Sequence, residues 1–161
     1  MIDRTRFAIS TEETRYYLNG IYLHPTEEDG TSVLRAVATD GHRLARVDIP
    51  LPEGAAGMPG VIVPRKTVGE VRKLLDDATD DVEITVSDTK IHFSTGAIEL
   101  TSKLIDGTFP EYQRVIPVGN EKTLTVDCRS FQSAIDRVAT ISTEKSRAVK
   151  LAIDSTNVTL S

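Results

Sequence analysis

Ile2-Asp3-Arg4 near the start of the chain returns as Ile135-Asp136-Arg137 near its end. Further matches follow in the same order. Ile9-Ser10-Thr11-Glu12 returns as Ile141-Ser142-Thr143-Glu144, and Arg15 returns as Arg147, with one gap inside the helix reconciling the two offsets. Both copies run from a helix end, through Ser-Thr-Glu, into a strand. A period of this length indicates two domain-sized units of one kind, not a solenoid of short repeats. The later copy opens with a strand and half a helix, residues 123–134, that the earlier copy lacks. It also stops after its second strand. The expectation is therefore a chain that lacks the front of one domain and most of the next, divided into 1–118 and 119–161 by the linker-like Pro117-Val118-Gly119-Asn120. The alternative is a complete small protein with a fortuitous match.

Outward from the repeat, periodicity marks the elements. Residues 2–10 read as a helix that buries Ile2, Phe7, Ala8 and Ile9 and leaves Arg4 and Arg6 outside. Residues 15–24 are rich in β-formers, with a bulge or kink at Asn19-Gly20, and Glu27-Glu28-Asp29-Gly30 reads as a hairpin turn. Strands at 33–39 and 43–49 flank a tight Asp40-Gly41 turn. Three prolines and three glycines make 50–60 a loop. Val61-Ile62-Val63 is a short strand. Pro64 opens a helix with an apolar stripe at Val68, Val71, Leu74 and Leu75. A meander follows at 82–86, 89–94 and 97–102, turning at Ser87-Asp88 and Thr95-Gly96. Residues 106–110 are a loop and 112–116 a short strand. In the second unit, 123–126 is a strand, Asp127 caps a helix striped by Phe131, Ala134, Ile135, Val138 and Ile141, and strands follow at 147–153 and 157–160. Helical stripes beside antiparallel meanders indicate an α+β fold rather than a doubly wound sheet.

The composition is that of a globular protein, with 39% apolar and 27% charged residues among 161. No apolar run approaches the roughly 18 residues a membrane span needs, and charges interrupt the start too early for a secretory signal. A single Cys128 excludes an internal disulfide and fits a reducing cytoplasm. The net charge of −5 argues against bulk attraction to nucleic acid, though not against a local basic face. His24, His42 and His92 lie far apart without carboxylates at ligand spacing, so no metal is expected. No glycine-rich phosphate loop is present and no cofactor is expected.

Four segments carry candidate chemistry; one, Phe109-Pro110-Glu111-Tyr112-Gln113-Arg114-Val115-Ile116-Pro117, is an exposed two-proline stretch that reads either as a plain domain connector or as the lining of a groove. The helix after Pro64 starts with Arg65-Lys66 and carries Arg72-Lys73 two turns on, so a cationic face opposes its apolar stripe, softened by Glu70, Asp76 and Asp77. Arg65 and Lys66 sit where the helix dipole disfavours cations, which hints at a functional reason. Arg15-Tyr16-Tyr17 pairs a cation with two aromatics, a combination suited to bases and phosphates; packing of one tyrosine inward is the structural alternative. In Thr39-Asp40-Gly41-His42-Arg43-Leu44, a turn is the plain reading. An Asp orienting a His is the catalytic one, although no nucleophile motif accompanies it.

Several strings resemble one family. Arg15-Tyr16-Tyr17-Leu18-Asn19-Gly20, Ala38-Thr39-Asp40-Gly41-His42-Arg43-Leu44-Ala45, Val63-Pro64-Arg65-Lys66 and Leu104-Ile105-Asp106-Gly107-Thr108-Phe109-Pro110-Glu111-Tyr112 are similar, in order, to the middle domain of bacterial DNA sliding clamps, the β subunit of the replicative DNA polymerase III holoenzyme. Glu144-Lys145-Ser146-Arg147 resembles the start of that family's third domain. The resemblance implies the DNA-clamp fold, with helices on one face of antiparallel sheets, and a non-enzymatic processivity factor. It implies a homodimeric ring around duplex DNA, contacting phosphates without reading sequence through Arg15, Tyr16, Tyr17, Arg65 and Lys66. It also implies a groove where the replicative polymerase, the clamp loader and repair proteins insert short linear motifs. The matching groove positions are Leu18, Thr39, Gly41, His42, Arg43, Leu44, Pro110, Arg114 and Val115.

Two departures bear on these expectations. Ser146 stands where some relatives carry a large aromatic, so one groove wall is expected to be lower. Most of the third domain is expected to be missing, and with it the groove's other wall, so this chain is expected neither to close the ring nor to hold DNA tightly. A small hydrolase using Asp40 and His42, or an interaction domain without a DNA role, are the competing readings.

Overall fold

The computed structural model describes residues 1–78, 81–141 and 148–161. The repeat's Ser142-Thr143-Glu144 and Arg147, the string around Ser146, and the first residue of the expected 147–153 strand lie outside the described residues. The chain divides into two compact units, Met1–Val115 and Ile116–Ser161.

The first unit opens with helix α1 (Ile2–Thr5), which tightens into a 3-10 turn at Arg6–Ala8. The expected helix thus ends before Ile9, whose backbone is already extended. Ala8 and Ile9 are buried as expected, but Phe7 is 56% exposed. The tighter winding turns Phe7 away from the core, and its ring instead lies under the Arg43 guanidinium, 5.7 Å from centroid to carbon. Thr5, fully buried, takes the inner position.

Four antiparallel strands form the larger sheet: β1 (Gly20–Glu28), β2 (Thr31–Thr39), β3 (Leu44–Pro50) and β4 (Val61–Pro64), in the order β3-β2-β1-β4. Strand β1 begins at Gly20, five residues later than the expected start at Arg15, because Tyr16–Leu18 winds into a 3-10 turn. Its hairpin to β2 is the two-residue Asp29-Gly30, both at positive φ, the geometry that matches strand twist. Helix α2 (Arg65–Asp77) follows β4 directly. A second sheet, β5 (Glu83–Val86), β6 (Lys90–Thr95) and β7 (Ile98–Lys103), is the expected meander.

Alternation sorts the larger sheet into two faces. Ile21, Ala36, Ala38, Val61 and Val63 point inward and pack with Val68 and Val71 of α2 and with Ile91 and Phe93 of β6. Tyr22, His24, Arg35, Val37 and Asp48 share the outer face by cross-strand register. That face is not bare: Phe109 stacks on Tyr22 with ring centroids 4.9 Å apart. Coverage on both sides explains why Val33 through Thr39 are all buried. Residues Tyr112–Val115 form a 3-10 turn and not the expected strand, since their hydrogen bonds close locally, Tyr112 to Pro110 and Arg114 to Glu111.

In the second unit, Asp127 caps helix α3 (Cys128–Ile141) as expected: its Oδ1 accepts from the Ser130 backbone N–H at 2.9 Å. Phe131, Ala134, Ile135 and Val138 lie half-buried along one stripe. A two-stranded ladder, β8 (Leu151–Ile153) and β9 (Val158–Leu160), completes the unit. Residues 123–126 do not form the expected strand. An extended run becomes a strand only when a neighbour completes its ladder, and among the described residues no backbone bond joins them to another segment.

Candidate functional site

The turn from Thr39 to Leu44 is built by its own side chains. Gly41 sits at φ +89°, where a side chain is strained. The Thr39 hydroxyl accepts from the Gly41 N–H (3.1 Å) and donates to the Arg43 carbonyl (2.8 Å). Asp40 Oδ1 accepts from the backbone N–H groups of His42 and Arg43, both at 3.0 Å, and Oδ2 accepts from Arg43 Nε at 2.9 Å. Burial works to raise the Asp40 carboxyl; the two backbone donors and the Arg43 guanidinium outweigh it and hold it below the usual carboxylate range. Among the described residues, none of these bonds reaches the His42 ring. Asp40 therefore spends both carboxylate oxygens on shaping the turn.

Arg15 braces this turn from outside. Its guanidinium meets the Glu12 carboxylate twice at 2.8 Å and donates to the Asp40 carbonyl at 3.2 Å. The Arg15 hydrogen bond lowers the Glu12 carboxyl below its ordinary range. Tyr16 is 52% exposed and meets Tyr17 edge to face. Leu18 is buried. The Arg65 backbone N–H donates to the Asn19 carbonyl at 2.9 Å, so the Arg15–Leu18 turn and the start of α2 are adjacent.

The expected four-cation face on α2 is reduced to two. Arg72 pairs with Asp3 at 2.7 Å and with Asp76, and Lys73 pairs with Glu70 at 3.1 Å. Arg65 and Lys66 are exposed and form no ion pair among the described residues. Charges at i+3 and i+4 neutralise the later pair, while the first turn holds no acid.

Of the expected groove residues, Thr39 and Leu44 face each other across β2 and β3 on the outer face. Gly41, His42 and Arg43 are exposed at the turn. Pro110, Arg114 and Val115 are exposed on the segment that crosses that same face. Among the described residues no hydrogen bond or ion pair joins this segment to the turn. The reading of the residues missed what anchors it: His24, Arg35 and Tyr112 meet beneath it. One signal was available. Arg35 stands in Val33-Leu34-Arg35-Ala36-Val37, and a charge inside an apolar strand run has to find a buried partner.

The family models settle the lineage. Residues 1–111 match the DNA polymerase III beta subunit, central domain, and residues 113–161 match its C-terminal domain. The chain belongs to the DNA polymerase III beta subunit family. Among relatives, the beta sliding clamp of Caulobacter vibrioides is 61% identical over 160 residues, covering 99% of this chain and 43% of that protein. That of Pseudomonas putida is 42% identical over 151 residues, covering 94% of this chain and 40% of its own length. This chain thus spans about two fifths of the curated relatives it matches. A crystal structure of the Caulobacter crescentus beta sliding clamp superposes with a TM-score of 0.95 at 62% identity, over 99% of this chain and 42% of that one. A Bartonella birtlesii sliding clamp bound to griselimycin gives 0.92 at 59% identity, over 99% and 43%. The clamp family's α+β fold, helices packed on antiparallel sheets, is the one observed here.

Proposed function

We propose that this chain supplies the middle part of a processivity clamp, with 1–118 as its middle domain and 119–161 as the beginning of the third. At full length the protein is a homodimeric ring that encircles duplex DNA in the cytoplasm and tethers the replicative polymerase, the clamp loader and repair proteins. It works by linkage and not by catalysis. Arg15, Tyr16, Tyr17, Arg65 and Lys66 face DNA, and Leu18, Thr39, Gly41, His42, Arg43, Leu44, Pro110, Arg114 and Val115 take the peptide motifs or griselimycin.

The observation that supports the DNA role best is the unbalanced charge at the start of α2. Arg65 and Lys66 are exposed and without an acidic partner among the described residues, beside the Arg15–Leu18 turn. Arg15 contributes less, since Glu12 already neutralises it. Weak, screened contacts suit a ring that has to slide.

Binding of a short fluorescent duplex at low ionic strength tests this. Each phosphate contact contributes about 0.9 to the slope of log affinity against log salt. Arg65→Ser with Lys66→Ser is expected to weaken binding and flatten that slope by about two. An unchanged slope removes both residues from the DNA interface.

A further inference from the structure

The outer face of the larger sheet holds a buried charged group that the tethering function does not use. Arg35 is 3% exposed. Its Nε and Nη2 meet the two oxygens of Asp48 at 2.7 and 2.8 Å, and Nη2 also meets Glu28 at 2.5 Å. The remaining nitrogen, Nη1, reaches the Tyr112 hydroxyl at 3.4 Å.

The same hydroxyl lies 2.9 Å from His24 Nε2, and His24 Nδ1 lies 3.1 Å from the Pro25 carbonyl. A carbonyl can only accept, so Nδ1 carries the ring proton and Nε2 of the neutral imidazole accepts. Tyr112 then donates to His24 and accepts from Arg35. The chain of bonds runs in one direction from the Arg35 guanidinium to the Pro25 carbonyl, and each link has one donor and one acceptor. Stacking reinforces it: Tyr22 lies between His24 (4.7 Å) and Phe109 (4.9 Å).

Phe109 and Tyr112 are the two buried residues of the segment 109–115; Pro110, Arg114 and Val115 are exposed. A four-residue 3-10 turn has little stability of its own. Its conformation therefore depends on what holds Tyr112. We propose that Tyr112, oriented by Arg35 and His24, is a positioning residue that fixes Pro110, Arg114 and Val115 in the conformation a ligand meets. The ligand part rests on the groove reading given above.

Tyr112→Phe keeps the ring and removes both bonds of the hydroxyl. Backbone amide hydrogen exchange and griselimycin titration calorimetry are measured on the native chain and the variant. The expected result is about tenfold faster exchange at Gln113–Val115, with β2 and β3 unchanged, and about tenfold weaker griselimycin binding. His24→Leu, which removes the acceptor from the other side, is expected to act in the same direction, and His24→Gln to restore native exchange. Native exchange rates in both Tyr112→Phe and His24→Leu overturn the proposal, whatever the binding shows. Faster exchange with unchanged griselimycin affinity overturns the positioning role. If the native chain does not bind griselimycin while exchange quickens in the variants, the hold of Tyr112 on Pro110, Arg114 and Val115 stands and the reading that the groove residues of this chain alone take griselimycin fails.

Discussion

Gly41 holds its turn at φ +89°, where a β-carbon costs about 1–2 kcal/mol. The atom nearest an added β-carbon is Arg15 Nη1 at 2.5 Å, the far end of a flexible side chain that can swing aside. Gly41→Ala is therefore expected to cost about 1–2 kcal/mol, mostly as backbone strain, and to release Arg15 from the Asp40 carbonyl. A urea midpoint equal to the native one would refute the strain. His24 supplies a second prediction. Burial lowers its pKa from the ordinary 6.5, Arg35 lowers it further, and the Pro25 and Asp48 interactions only partly offset them. The folded state thus binds fewer protons than the unfolded one, so this contribution to stability is complete above about pH 6.5 and declines as pH falls. Among the described residues, the charged or titratable groups that act on it are Arg35, Asp48, Tyr22 and Tyr112. Denaturation midpoints are expected to drop below about pH 6.5, and less so in His24→Gln; equal pH profiles would remove His24 as the cause. The turn residues were legible in sequence because neighbours in the chain hold one another. The bonds from Arg15 to Asp40 and from Arg35 to Tyr112, 25 and 77 residues apart, were not, because only the tertiary fold brings those groups together.

Helix α2 was readable because its stripe is regular: Val68 and Val71 are each 3% exposed, as the spacing requires. Val71→Ala is expected to cost about 2 kcal/mol from lost burial and the space left behind. Lys73→Ala, on the solvent side beside Glu70, is expected to leave the midpoint nearly unchanged. Similar losses from the two substitutions would mean that the stripe is not the buried side. The meander and the hairpins were legible for the same kind of reason, since β-forming runs alternate with residues that accept positive φ. Two of the 3-10 turns, where strands were expected, were not. Tyr16–Leu18 and Tyr112–Val115 are rich in β-formers, and β-propensity describes fit to a pleated, half-buried surface. Here a backbone bond from Leu18 to Arg15 and the anchoring of Tyr112 select tighter windings. Likewise, Leu124 and Val126 have strand composition but are 44% and 42% exposed; propensity without a pairing neighbour does not make a strand.

At the scale of the molecule, the first unit has an apolar pocket of about 610 Å³ between its helices and sheets, lined by residues that include Ile2, Leu23, Leu34, Val68, Leu75 and Phe93. Asp3, Arg4 and Arg72 contribute charge to its lining. Apolar surface that solvent can enter binds small aromatic dyes, and contiguous apolar surface of this kind favours association. The 161-residue chain is therefore expected to enhance anilinonaphthalene sulfonate fluorescence while its near-ultraviolet circular dichroism stays native, a combination that separates a pocket in a packed protein from a molten state. Leu75→Gln, at a half-buried position on the lining, is expected to reduce the enhancement without abolishing the fold. Enhancement that is absent in the folded chain, or that appears only when the near-ultraviolet signal is lost, would show that the helices and sheets close over this space in solution.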